Sequence, residues 1–313
     1  MKFTTLSTLA KVGIVAFAAL AVAGGCGTSN GAAADDDDDD TGSSSGSSSG
    51  SSGGSCPANA TGTSATKITV PIWWDETLGV LGGEGNLVIW IRSDLTFDGN
   101  NVTGEVAPCG SYVPPIQAKD ALGGMKVQPI IPDELWDSGL VPTNPATGTV
   151  SGTNVGATIT MEPSGQALGL TMNDPLNDPW PATWQELNTV DVDQSGSPGN
   201  TAYTATGDGF GPSPLDVFPN GPKASELHLA TRTVFEIQGT RTSCTSAEGN
   251  VIVHHFDSHV VGCVVDGAGP CSPGQVDFID NNRNQYNFGD ATYEMKQVSD
   301  GASCAEVRQA LPM

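Results

Sequence analysis

The sequence predicts an all-β fold: an antiparallel sandwich or barrel of about nine strands, with two β halves as an option and one short C-terminal helix. Alternation of apolar and polar residues with period two recurs along the chain, while helical periodicity is almost absent. Forty glycines and 21 prolines punctuate the alternating runs at turn spacing. The third observation is the clearest single run, Leu227–Gln238. There Leu227, Leu229, Thr231, Thr233, Phe235 and Ile237 face one way, and His228, Arg232, Glu236 and Gln238 face the other, as on a strand with one wet side.

The remaining strands follow in order. Lys67–Ile72, Asn86–Thr96, Val102–Val106, Met125–Ile131 and Thr158–Met161 alternate before the midpoint, and Val251–Val261, Gln275–Ile279 and Thr292–Val298 after it. The turn signal AEGN predicts a long hairpin joining Leu227–Gln238 to Val251–Val261. Ser303 followed by Glu306 is a capping box and predicts a helix over Ala305–Leu311, tied to the body through Cys304. Between Pro175 and Pro222 the chain is too rich in Pro and Gly for regular strands, so it reads as a crossover between halves at about 67–174 and 225–300.

The N-terminus carries Lys2, Lys11 and the apolar run Val12–Ala23, too short to span a bilayer as a mature helix and matching a secretory signal over residues 1–25. Gly24, Gly25 and Cys26 close it, and this ending resembles the lipobox of bacterial lipoproteins, with Ala23 where that family usually has leucine. The resemblance implies cleavage before Cys26, a lipid on its sulfur as the contact with a membrane, and a place in the cell envelope at the outer membrane or cell surface. Residues 26–55 hold no large apolar side chain and read as a low-complexity Asp/Gly/Ser tether. A coil of that length spans about 30 Å root-mean-square. Its two G-x-S-x-G matches lack the strand and helix that a nucleophile elbow requires.

A formal net charge of −23 argues against nucleic acid or an anionic membrane surface as a partner. Seven cysteines divide into Cys26 and an even set of six: Cys56, Cys109, Cys244, Cys263, Cys271 and Cys304. In an exported chain that set predicts three disulfides, with Cys263–Cys271 favoured by the short, turn-rich VVDGAGP between them and the other pairings open. No C-x-x-C pair points to thiol exchange or a cysteine zinc cluster.

Two motifs carry candidate chemistry. DVDQSG, residues 191–196, matches the start of a calcium loop, with Asp191, Asp193 and Ser195 as alternating oxygen ligands and Gly196 at the turn. Position twelve is Ala202 and Pro198 excludes a flanking helix, so an EF-hand is rejected; a helix-free calcium site completed by Asp208, Asp178 or carbonyls stands against a solvated Asx turn. In VHHFDSHV, His255, Asp257 and His259 project from one strand face and form a zinc candidate, or simply an outward polar face; Ile252, His254, Phe256, Ser258 and Val260 take the opposite, more apolar face. Of six tryptophans, Trp180 and Trp184 flank a Pro-rich loop near the acidic motif and are candidates for a binding surface or for burial of the loop itself.

APCGSYVPPI, IPDELWDS, the D-x-D-x-x-G-x-P-G element and HFDSHVVGC together resemble an uncharacterised group of lipid-anchored bacterial surface proteins over most of residues 67–310. The resemblance implies a disulfide-bearing β domain and no activity. Where the group has DxDGDG this chain has DVDQSG, one carboxylate fewer and a lower expected calcium affinity. Three functions stay open: a surface binding or structural module, a lipocalin-like carrier of a small apolar ligand, and a metal-dependent hydrolase using the His-rich strand. With no nucleophile set in the sequence, the enzyme comes last.

Overall fold

The computed structural model describes residues 54–77, 81–118, 126–206, 223–283 and 286–313. The signal, Cys26, most of the tether and Asp208 lie outside these residues.

Within them the chain forms one antiparallel sheet of 13 strands. In chain order these are β1 Asn59–Thr77, β2 Leu81–Asp98, β3 Asn101–Tyr112, β4 Ile116–Ala118, β5 Lys126–Ile130, β6 Asn144–Val150 and β7 Thr158–Leu168. After the crossover come β8 Asn200–Thr206, β9 Ala224–Ser243, β10 Ser246–Val265, β11 Gly269–Pro270, β12 Tyr286–Phe288 and β13 Ala291–Gln297. Helix α1 is Asp133–Asp137, α2 is Pro273–Asn281 and α3 is Cys304–Ala310.

The sheet closes on itself. Following hydrogen-bonded neighbours, β10, β13, β1, β2, β3, β6, β7 and β9 form a ring that returns to β10. The alternatives of sandwich and barrel therefore resolve to a barrel, and the stretches 67–174 and 225–300 are not separate halves but meet edge to edge at β1–β13 and β7–β9. Eight strands leave an interior just wide enough to be filled by side chains or to hold one small ligand.

The four longest strands, β1, β2, β9 and β10, outrun their neighbours, and different strands complete the wall at the two ends. The outer edge of β9 pairs with β7 over 231–240 and with β8 over 226–229; that of β2 pairs with β3 over 88–98 and with β4 over 81–82. At the β4–β5–β8 end no ladder joins β10 to β12 among the described residues, and α2 packs against β10 there. Helix α1, between β5 and β6, lies against β3 where that strand runs on past its last pair with β6 at Val106.

The count of about nine strands falls short because β4, β11 and β12 are only two or three residues long, below what periodicity can register. β6, NPATGTV, was masked by its proline and glycine, and β8 sits inside the stretch read as crossover. Gln275–Ile279 is not a strand but the middle of α2. Ser272 caps it, Pro273 occupies the first turn, and Gln275 completes a capping box, while Val276 and Ile279, three apart, are the buried apolar pair beside the buried Asp280. The β9–β10 turn lies at Cys244–Thr245, and AEGN belongs to β10, where Gly249 faces Gly239 across the ladder. A Cβ on Gly249 would meet the Gln238 carbonyl oxygen at 2.3 Å, so the approach of the two backbones requires glycine.

Helix α3 confirms its capping box: the Ser303 side chain accepts from the Glu306 N–H and Glu306 reaches back to Ser303. The disulfides are Cys56–Cys244, Cys109–Cys304 and Cys263–Cys271, with Cα separations of 5.2, 4.7 and 5.2 Å. The first ties the segment before β1 to the β9–β10 turn, the second pins α3 to β3, and the third staples the short loop after β10.

Candidate functional site: a hollow end of the barrel

The barrel core is unevenly filled. Phe235, Tyr293, Met295 and Met161 pack the lower half, leaving a residual cavity of about 80 Å³. Towards the β4–β5–β8 end a larger cavity of about 260 Å³ opens, lined by inward residues of every long strand, among them Ile72, Leu87, Leu229, Phe256 and Val260. Ile89, Pro108, Gln166 and Thr233 line both spaces. The alternation read in Leu227–Gln238 holds: Leu227, Leu229, Thr231 and Thr233 line the large cavity, and Thr233, Phe235 and Ile237 the small one.

Two helices complete the lining where strands do not. Trp136 of α1 and the preceding Ile131 border the cavity beside the free stretch of β3, and Phe278, Ile279 and Arg283 of α2 and its end border it beside β10. The Arg283 guanidinium is committed, donating to the Asp280 main-chain oxygen at 2.6 Å and lying 3.2 Å from its carboxylate. Gln128 donates to the Val113 carbonyl at 2.8 Å. Three further lining residues, Ser111 on β3, Trp136 on α1 and Gln166 on β7, hold buried polar side-chain atoms with no partner among the described residues.

The outer face of β9 and β10 is covered around His228 and Arg232 and wet beyond them, where Gln238 and Ile252 are exposed. His228 and Arg232 are only 3% exposed. The crossover 170–199 lies over them, with Leu170, Met172, Trp180, Trp184 and Leu187 packed on Ala230 and Val261. Arg232 holds it down: its guanidinium donates to the carbonyls of Pro175 and Asp178, pairs with Asp257 at 2.7 Å, and lies 5.3 Å from the Trp180 ring centroid.

The zinc candidates fall in this layer. His255, Asp257 and His259 share the outer face while Phe256, Ser258 and Val260 line the cavity. A bulge between Val253 and His255 shifts the alternation, so Ile252, 42% exposed, and His254, paired with Glu236, are on the solvent side rather than with Phe256. The Leu176 carbonyl can only accept, so His255 Nε2 donates to it and Nδ1 is left to accept from Arg232. His259 Nε2 faces the Pro181 carbonyl and Nδ1 faces Asp280. The trio thus fastens the crossover and α2 to β10. Trp180 stacks on His259 with centroids 5.3 Å apart, and Trp184 Nε1 donates to Asp277 of α2 at 2.7 Å, so both rings serve this clamp.

Asp191, Asp193 and Ser195 do come together. Asp191 accepts from the N–H groups of Ser195 and Gly196, and Asp193 from those of Ser195 and Thr201. Gln194 and Gly196 both take positive φ, 57° and 85°, which folds the amides back onto the carboxylates. Burial of the Asp193 carboxyl opposes its ionisation, but the hydrogen bonds from Thr201 and Ser195 outweigh this and bring its pKa down to about 2. Asp178 is engaged elsewhere, capping the N–H groups of Asn173 and Asp174. Among the described residues no group of three or more His, Cys, Asp or Glu side chains is arranged to hold a metal ion.

Sequence reading did not single out Ser111 or Gln166. Gln166 lies past a register shift between Met161 and Ser164 that ended the recognisable run, although Gln166 and Leu168 resume the inward alternation behind it. Comparison with protein-family models, with curated proteins and with solved structures finds no match for this chain.

Proposed function

We propose that this protein is a carrier or binding protein for a small apolar molecule, held inside the barrel, and that a lipid on Cys26 with the tether of residues 27–55 keeps it at the cell envelope. The observation that supports the binding function is the cavity of about 260 Å³ at one end of the ring, walled by Leu, Ile, Val and Phe side chains. A core meant only for stability is packed to crystal-like density, and each void the size of a methyl group costs of order 1 kcal/mol. The lower half of the same barrel is filled more closely, by Phe235, Tyr293 and Met295, and keeps only about 80 Å³. A hollow of this volume approaches the range of small-ligand sites and suits roughly nine non-hydrogen atoms at about 30 Å³ each.

The hydrolase reading loses its basis because the nitrogens of His255 and His259 already face Arg232, Asp280 and main-chain carbonyls. Two measurements test the proposal. Solvent extraction of the full chain purified from membranes yields, on this account, a stoichiometric small apolar compound, and Cys26→Ser moves the protein to the soluble fraction. An extract free of any such compound, together with no uptake of added apolar molecules, refutes the carrier; unchanged membrane association of Cys26→Ser refutes the anchor.

A further inference from the structure

Of the polar side chains that border the cavity, three stand apart, each from a different element: Ser111 from β3, Trp136 from α1 and Gln166 from β7. Ser111 Oγ, Trp136 Nε1 and Gln166 Nε2 are buried and have no hydrogen-bond partner among the described residues. Trp136 as a whole is 6% exposed. An unpaired buried donor costs about 1–3 kcal/mol, so three lining one space need an explanation.

Their chemistry agrees. The indole N–H and the amide NH₂ can only donate, and the hydroxyl is free to donate. The complementary ligand group is therefore an acceptor. A carboxylate is the poorer fit: Arg283, the guanidinium bordering the cavity, is occupied by Asp280, and a chain of net charge −23 repels anions. A carbonyl oxygen, with two lone pairs, satisfies two of the three donors without bringing a charge into an apolar space, and the second oxygen of an ester or lactone is available to the third.

Resting on the carrier reading, we propose that the cavity selects a neutral, carbonyl-bearing apolar molecule of roughly nine non-hydrogen atoms, a ketone, ester or lactone, whose oxygen accepts from donors of the set Trp136, Gln166 and Ser111. The selectivity comes from the penalty on the wrong ligand: an alkane fills the volume but leaves all three donors buried and unpaired.

The test compares 2-octanone, n-octane and octanoate on the full chain, the two volatile ligands by headspace partition and octanoate by calorimetry. The expected result is 2-octanone at least tenfold tighter than n-octane, with octanoate weakest. Trp136→Phe, which keeps a ring, and Gln166→Leu each lower the ketone-to-alkane ratio several-fold while n-octane binds as before or more tightly. Equal affinity for ketone and alkane in the unmodified protein overturns the inference and leaves the carrier intact, since water then satisfies the donors. Octanoate binding tightest overturns it in favour of an anion. Binding of none of the three brings down the carrier reading itself. The ketone-to-alkane comparison in the unmodified protein needs no variant, so a variant that fails to fold does not remove the test.

Discussion

His259 Nδ1 lies 2.8 Å from Asp280 Oδ2 with the two residues 0% and 3% exposed, a charge-assisted contact that ties β10 to α2 where the ring of ladders is interrupted. Asp280 also accepts from the Val260 N–H at 2.9 Å and pairs with Arg283, so its carboxylate is satisfied on several sides. Removing Asp280 leaves His259 Nδ1 buried without that partner, whereas removing His259 leaves Asp280 with the Val260 N–H and Arg283. Asp280→Ala is expected to cost about 3–5 kcal/mol in denaturant unfolding and His259→Ala less, while the double variant costs well under the sum. A loss below about 1 kcal/mol in Asp280→Ala would show that α2 is held by its apolar face alone.

The clamp on the crossover predicts a local effect. Trp180→Ala removes the stack on His259 and the ring beneath Arg232. Hydrogen exchange of the amides of residues 171–199 is expected to rise sharply, with the ladder of β1 and β2 unchanged. Uniform acceleration across the sheet would instead mean that the crossover folds and unfolds with the barrel.

The disulfides differ in the chain they close, 188 and 195 residues for Cys56–Cys244 and Cys109–Cys304 against 8 for Cys263–Cys271. In the chain-entropy description the long loops contribute about 5 kcal/mol each and the short one about 2.5 kcal/mol. Paired Cys→Ala variants are expected to fall in that order of stability, read from urea midpoints.

Acid sensitivity has two sources with separate windows. Burial holds the His228 ring below its ordinary 6.5, against the opposing pull of Glu226, Asp193 and Asp191. The unfolded chain therefore takes up a proton that the folded one refuses, and stability present above pH 6.5 is lost as pH falls below it. Asp193, brought from 3.8 to about 2, contributes stability that is complete above pH 3.8 and lost as pH falls through about 2. Its partial exposure limits this to about 1 kcal/mol. His228→Gln is expected to flatten the decline that sets in below pH 6.5, and Asp193→Asn the decline between about pH 4 and 2. Because the amides already enclose both carboxylates, calcium at this turn would add to a preformed loop, and Asp193→Asn is expected to lower stability in chelator as well as in calcium.

The sequence made the barrel legible where a strand is long and buried on one side. Leu227–Gln238 shows its inward set residue by residue, and the Ser303–Glu306 box locates the last helix, because both are local rules that burial reinforces. The misses share a cause as well. Five residues of α2 fit a strand as well as a helix, and one extra residue at Val253–His255 moves Ile252 and His254 to the other face. The cavity itself was not legible. It depends on β8, β5 and β4 succeeding β7, β6 and β3 along the same long strands, a relation between distant segments that no window of sequence contains. Likewise, His228 and Arg232 read as wet because the segment that covers them lies some 50 residues away, as in the Arg232 bond to Asp178 with a separation of 54.

The most direct test of the carrier is saturable binding of an apolar fluorescent probe close to the cavity's size, such as naphthalene, to the full chain, compared with Leu229→Trp. Leu229 borders the cavity, and a tryptophan there would fill the volume a ligand needs. One site per chain is expected in the unmodified protein, displaced by 2-octanone, with a loss of at least tenfold in affinity in Leu229→Trp and the thermal transition kept. Probe binding that is absent, or unchanged when the cavity is filled, would contradict the carrier.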